Sequence, residues 1–184
     1  MSRNVICISR TIGAAGEALG AVVADKLGFT YADDAADRSR RIVSRAAAIA
    51  GVSTDAIAAA ERDDAGEPYA AALEQAIRET ADKGDVVIVA HGASIPLSGN
   101  PKVLRVLVTA SPESRAQRLA QTDAIDPAAA QKAVADSDAA RARYFQRVYG
   151  VTEETPTTYD VTVNTDTMDI DRAARLVMQA ALTL

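Results

Sequence analysis

Arg115 and Arg118 stand three residues apart, as do Asp138 and Arg141, and Arg143, Tyr144, Phe145 and Arg147 follow closely. Residues three apart on a helix share a face, so two short stretches each present charge in one direction. A second group is the small-residue loop Gly13, Ala14, Ala15, Gly16, closed by Glu17. It joins the apolar run Val5, Ile6, Cys7, Ile8 to a helical pattern opening at Glu17. At the carboxyl end of a parallel strand, with a helix N-terminus behind it, such a loop offers phosphate oxygens several backbone N–H donors. The match to a Walker loop is poor, because Glu17 and Ala18 stand where Lys and a hydroxyl residue would follow Gly16. Phosphate binding and a plain strand-to-helix turn fit these letters equally well.

The remaining reactive types are few. Cys7 is the single cysteine and His91 the single histidine, which excludes an intramolecular disulfide and leaves no multi-ligand zinc site. Inside an apolar strand pattern Cys7 reads as a small buried side chain in a reducing compartment. No metal centre is expected.

The 184 residues fit one domain, or one domain with a small insertion. Hydrophobic residues make up 48% but aromatics only 4%, which favours helices packed on a branched-chain sheet. A net charge of −5 speaks against nucleic acid or an anionic membrane as partner. No apolar run has the form of a signal peptide or the length of a membrane span, so a cytoplasmic location is expected.

The positioning elements follow from periodicity. Leu19, Val22, Val23 and Leu27 mark a first helix stopped by Gly28, and Phe29 to Tyr31 a short strand ending in Asp33 and Asp34. Ile42, Val43, Ala46, Ile49 and Ala50 mark an amphipathic helix in an Ala-rich segment with few large apolar anchors. A helix from Tyr69 to Lys83 precedes Val86 to Val89, an unbroken apolar run suited to a strand buried on both faces. After a strand at Val103 to Thr109, Ser111 and Pro112 open a helix. Asp126 and Pro127 open the next, which runs to Tyr149, and a strand at Val161 to Val163 precedes a final helix capped by Asp169. Strands alternating with helices predict an α/β fold, a three-layer α/β/α arrangement around a parallel sheet of about five strands. Its ligand edge would carry Gly13 to Gly16, Asp33, Asp34, His91 and the loop after Val163.

Several of these segments resemble the cytidylate kinase-like branch of the P-loop nucleoside monophosphate kinases. ISRTIGAAGEALG followed by ADKLGFTYAD is similar to that branch's opening loop and next strand, and VVIVAHGAS to its VIVGRGA. LRVLVTASPESRAQRL, DSDAARARYFQRVYGV and YDVTVNTDTMDIDRAARLV keep the order of its later motifs. The likeness spans most of the chain and is weakest between Ala35 and Gly66. It implies a core at 1–34, 69–122 and 150–184, a monophosphate-binding helical insertion at about 35–68, and a lid at about 115–149.

The resemblance also implies ATP with Mg²⁺ carried on the nucleotide, and CMP or dCMP as acceptor. The partners are then small-molecule nucleotides; monomer and homodimer stay open. Arg115, Arg118 and Arg141 would be the catalytic cations, spreading positive charge around the transferred phosphoryl, with Asp138 orienting Arg141 through an ion pair. Arg10, Arg143, Asp33, Asp34, Asp138 and His91 would contact substrate. Asp33 and Asp34 serve equally as helix caps, and His91 as a structural histidine. Three positions depart from the pattern: Glu17 replaces Arg, Ser or Lys, Ala15 replaces Gly, and His91 replaces Arg. A carboxylate ~4 Å from a phosphate charge costs about 1 kcal/mol in water and ~4 kcal/mol at an effective dielectric of 20. The alternative is therefore a catalytically weakened nucleotide-binding protein with a regulatory or partner-binding role.

Overall fold

The branched apolar runs become strands β1 (Val5–Arg10), β2 (Thr30–Asp33), β3 (Val86–Val89), β4 (Val103–Thr109) and β5 (Val161–Asn164). The computed structural model describes residues 3–33, 41–57, 69–90, 92–152 and 154–184. Asp34, His91 and residues 35–40 and 58–68 of the expected insertion lie outside them. Among the described residues the five strands form one sheet in the order β2-β3-β1-β4-β5, and every pairing is parallel. Val5 of β1 pairs with Val86 on one side and Val103 on the other. The first strand of the chain is thus the middle of the sheet, and its carboxyl end delivers the Gly13 loop to a switch in strand order, where open parallel sheets bind ligands.

The helices are α1 (Gly16–Leu27), α2 (Arg41–Ala50), α3 (Ala70–Asp82), α4 (Pro112–Asp123), α5 (Pro127–Tyr149) and α6 (Ile170–Thr183). Side chains alternate across a strand, and both faces are covered. Val5, Cys7, Val86 and Ile88 face α2 and α3, whereas Ile6, Ile8, Val87 and Val89 face α1 and α6. The three-layer arrangement follows from this alternation. Cys7 is fully buried, and burial pushes its thiol up to about 12, so it packs as an inert apolar group.

The Ala-rich segment has better anchors than its composition promises. Ile42, Val43 and Ala46 of α2, with Ile57 beyond it, are buried in the same core as Leu73 and Ile77 of α3. Each fully buried branched side chain contributes about 1.5–3 kcal/mol, and α2 is bound to the sheet accordingly.

Helices α4 and α5 form a hairpin packed through Ala116, Ala130 and Val134. Their starts are fixed locally: the Ser111 hydroxyl accepts from the Ser114 N–H at 3.3 Å, and Asp126 Oδ1 from the Ala128 N–H at 2.8 Å. Pro112 and Pro127 occupy first-turn positions that need no donor. Among the described residues no helix is long and apolar enough to cross a membrane.

Candidate phosphate-binding site

Between β1 and α1 the chain turns through two left-handed residues, Gly13 at φ 75° and Ala15 at φ 63°. Glycine is obligatory at Gly13 and Gly16 because neighbours leave no room for a Cβ. At Gly13 it would lie 2.6 Å from the Arg115 carbonyl oxygen, and at Gly16 2.5 Å from the aliphatic stem of Arg10. Ala15 carries a Cβ in a conformation that costs an L-residue about 1–2 kcal/mol. The first α1 N–H to find a partner within the helix is that of Leu19, bonded to the Ala15 carbonyl at 3.0 Å. The amides of Ala15, Gly16, Glu17 and Ala18 precede it and, among the described residues, have no backbone acceptor; they form the first turn of a helix, where the dipole favours an anion.

The loop carbonyls are held from behind. Arg118 Nη1 donates to the Gly13 carbonyl at 3.2 Å and to Thr165 Oγ1 at 2.9 Å, and its Nη2 donates to the Thr165 carbonyl. The buried Thr165 hydroxyl donates to the Ala14 carbonyl at 3.0 Å. Arg118 therefore touches the loop backbone from its carbonyl side.

Arg115 is an interior residue, with its side chain 4% exposed. Its Nη1 and Nη2 lie 2.8 and 2.6 Å from the two carboxylate oxygens of Asp138, and its Nε donates to the Ala110 carbonyl at 3.1 Å. This corrects the expectation that Asp138 orients Arg141. The buried Arg115 guanidinium needs a counter-ion because an uncompensated internal charge costs several kcal/mol, and Asp138 on the facing helix lies within its reach.

Arg141 finds another counter-ion. Glu154, in the loop before β5, accepts from its Nε at 2.6 Å and Nη2 at 2.9 Å. Nη1 donates to the Arg10 carbonyl at 3.0 Å and Nη2 to Ser9 Oγ at 2.8 Å, at the end of β1. The guanidinium also stacks 4.7 Å from the Phe145 ring centroid. Burial opposes its charge, but the Glu154 hydrogen bonds raise its affinity for the proton above the ordinary value. Glu154 in turn accepts from the Tyr159 hydroxyl, which burial and that carboxylate push up to about 12. Arg143, two residues after Arg141, is turned about 200° around the helix and is exposed.

Glu17 pairs with Arg10, Nε to Oε1 at 2.5 Å, with the carboxylate 46% exposed and the guanidinium 11%. The pair spans the loop mouth, so the acid neither faces solvent alone nor meets an incoming anion unscreened. Asp33 is buried at the carboxyl end of β2, where burial first and then its carboxylate raise the Tyr31 hydroxyl. A cavity of about 310 Å³ opens beside the loop, bounded by Thr11, Asp138, Arg141, Phe145, Val151 and Glu154. Among the described residues no group of three His, Cys, Asp or Glu stands ready to hold a metal.

A family model described as the cytidylate kinase-like family matches residues 5–167. The chain belongs to that family. No curated protein matches the sequence. Among solved structures, an uncharacterized protein from Eubacterium ventriosum superposes with a TM-score of 0.74 at 18% identity, covering 96% of this chain and 97% of the other. Shikimate kinase from Bacteroides thetaiotaomicron follows at 0.61 and 14%, with the same coverages. A gluconokinase from Sinorhizobium meliloti gives 0.54 and 15%, covering 97% and 91%. At these identities the likeness is one of fold, the P-loop kinase fold.

Residues 13–17 form the turn between β1 and α1. Glu154, Tyr159, Ser9 and Thr165 were not legible. No period connects Glu154 to Arg141, and Thr165 is one hydroxyl among several in VTVNTDT.

Proposed function

We propose that this protein is an ATP-dependent phosphotransferase of the nucleotide-kinase type, with CMP or dCMP as acceptor. The observation that carries the reading is the Gly13–Glu17 turn: a parallel-strand loop whose carbonyls are tied down behind it, opening onto the first-turn amides of α1. Those amides and the helix dipole would hold ATP phosphates, and Mg²⁺ would arrive on the nucleotide and neutralise charge developing on the phosphoryl oxygens. Arg10 and Arg141 flank the loop, and the cavity beside Arg141 is the place for the acceptor. The hairpin of α4 and α5 supplies the wall that would exclude water.

A second reading has its own observation. Arg10, Arg115 and Arg141 are each matched by a carboxylate of the chain itself, Glu17, Asp138 and Glu154. Phosphoryl transfer needs cations directed at substrate, so a protein in which these pairs persist would bind nucleotide without turning it over. Calorimetric titration with ATP·Mg²⁺ and with CMP, beside a coupled ADP-release assay, separates the two. Turnover supports the kinase, and binding without turnover supports the weakened relative. Binding of neither ligand refutes both.

A further inference from the structure

Thr165 ties the start of the chain to its end, and its hydroxyl uses both hydrogen-bonding senses at once. It accepts from Arg118 Nη1 at 2.9 Å and donates to the Ala14 carbonyl at 3.0 Å, with the Thr109 carbonyl as a longer alternative at 3.3 Å. Its main chain is fixed as well: the N–H donates to the Thr109 carbonyl at 2.9 Å, and the carbonyl accepts from Arg118 Nη2. The residue is 3% exposed, so water does not compete for these bonds.

The consequence lies on the other side of the peptide. A trans peptide is planar, and its C=O and N–H point in opposite directions. Holding the Ala14 carbonyl toward Thr165 therefore turns the Ala15 N–H away from Thr165, into the mouth of the loop. Among the described residues that N–H has no backbone acceptor, and it is the first of the amides that precede Leu19. The Gly13 carbonyl, held by Arg118 at 3.2 Å, keeps the preceding peptide from flipping. Ala15 itself gains nothing locally from its left-handed φ of 63°; the grip on the neighbouring peptide holds it there.

We infer that Thr165 is a positioning residue for the phosphate loop: its hydroxyl fixes the Ala14 peptide so that the Ala15 amide is presented to a bound phosphate. The inference rests on the loop binding ATP phosphates, as proposed above. Such a residue acts on the nucleotide's phosphates and leaves acceptor binding untouched.

The test compares wild type, Thr165→Ser, Thr165→Val and Thr165→Cys by calorimetry with ATP·Mg²⁺, with inorganic pyrophosphate and with CMP, alongside thermal unfolding. Thr165→Ser keeps the hydroxyl and should bind ATP and pyrophosphate within about twofold of wild type. Thr165→Val is isosteric but removes both hydrogen bonds of the hydroxyl, to Arg118 and to the Ala14 carbonyl, and should weaken ATP and pyrophosphate binding about three- to tenfold with CMP affinity unchanged. Thr165→Cys keeps the volume with only a weak S–H donor; it should behave like the valine variant and stands in for it if that variant does not fold. Unchanged pyrophosphate binding in the Val and Cys variants would overturn the inference alone. So would an equal loss for CMP and the phosphates, the mark of general destabilisation. If wild type binds neither ATP nor pyrophosphate, the phosphate-loop reading itself falls, and the inference with it.

Discussion

Glu154 meets Arg141 edge to edge, its two oxygens 2.6 and 2.9 Å from Nε and Nη2, and so takes the guanidinium positions that a phosphate would use. A guanidinium has five N–H donors. With Ser9 and the Arg10 carbonyl also served, four are engaged among the described residues. Replacing the acid by its amide tests whether this carboxylate competes with substrate. Glu154→Gln is expected to tighten CMP and inorganic phosphate binding several-fold. It should also cost about 1–3 kcal/mol of stability, less than a fully buried pair because Glu154 is 21% exposed. Titration and thermal unfolding of the same sample read both. Unchanged phosphate affinity would make Glu154 a structural counter-ion only.

The partner of Asp138 is a separate prediction. Its carboxylate reaches Arg115 on the neighbouring helix, not Arg141 one turn along its own. Double-mutant cycles distinguish the two. Arg115→Met with Asp138→Asn should show a coupling of about 1–3 kcal/mol, reduced from the buried limit by the 40% exposure of Asp138. Arg141→Met with Asp138→Asn should add within about 0.5 kcal/mol. The reverse pattern would restore the pairing that helical spacing alone suggests.

That contrast marks where sequence reasoning stops. Local rules placed Ser111 and Asp126 as caps, the Val86–Val89 run as an interior strand, and the Gly13 turn at a strand end, because each depends on residues adjacent in the chain. Partner choice does not. Arg115 sits on a helix whose periodicity makes it look like a surface charge sharing a face with Arg118. Burial of its side chain follows from how α4 folds back on α5 over the loop, and only then does the need for a counter-ion select Asp138. Glu154 and Thr165 belong to irregular segments, so no period points to them. Ala15 carried a partial signal, since a small residue between two glycines suggests a tight turn, but its left-handed backbone required the geometry.

Acid should loosen one seam of the sheet. Asp160, just before β5, lies 2.6 Å from Arg3 Nη1 and 2.9 Å from Arg105 Nη2, and accepts the Arg105 amide at 2.9 Å. Burial tends to raise its pKa, but the Arg105 hydrogen bonds and both guanidinium charges hold it below the ordinary carboxylate value. A depressed folded-state pKa contributes stability that is present above the unfolded pKa of about 3.9 and is lost as pH falls through the lower folded value. Wild type should therefore lose stability more steeply below about pH 4 than Asp160→Asn, which has no carboxyl to titrate there. Urea melts of both at pH 3 to 7 measure it. Parallel curves would show that the seam does not depend on this charge.

The last prediction concerns the charge at the loop mouth. Glu17 neutralises Arg10 across 2.5 Å, so removing the acid deletes a negative charge near the phosphate position and leaves the Arg10 charge there without this counter-ion. Because the carboxylate is 46% exposed, the solvent-like end of the Coulomb range applies, about 1 kcal/mol for one charge at 4 Å. Glu17→Gln should tighten ATP·Mg²⁺ binding about fivefold at low salt, and the gain should shrink as ionic strength rises. Glu17→Arg reverses the sign, yet should gain less than twice as much, since the new cation repels Arg10. The rate of any turnover rises only if the change in charge acts more strongly on the transition state than on bound nucleotide. ATP affinity and kcat for the three proteins, at two ionic strengths, are the measurements. An ATP affinity that is flat across the series would mean that the Arg10–Glu17 pair only stitches the loop to α1, and the weakened-kinase reading would lose its electrostatic cause.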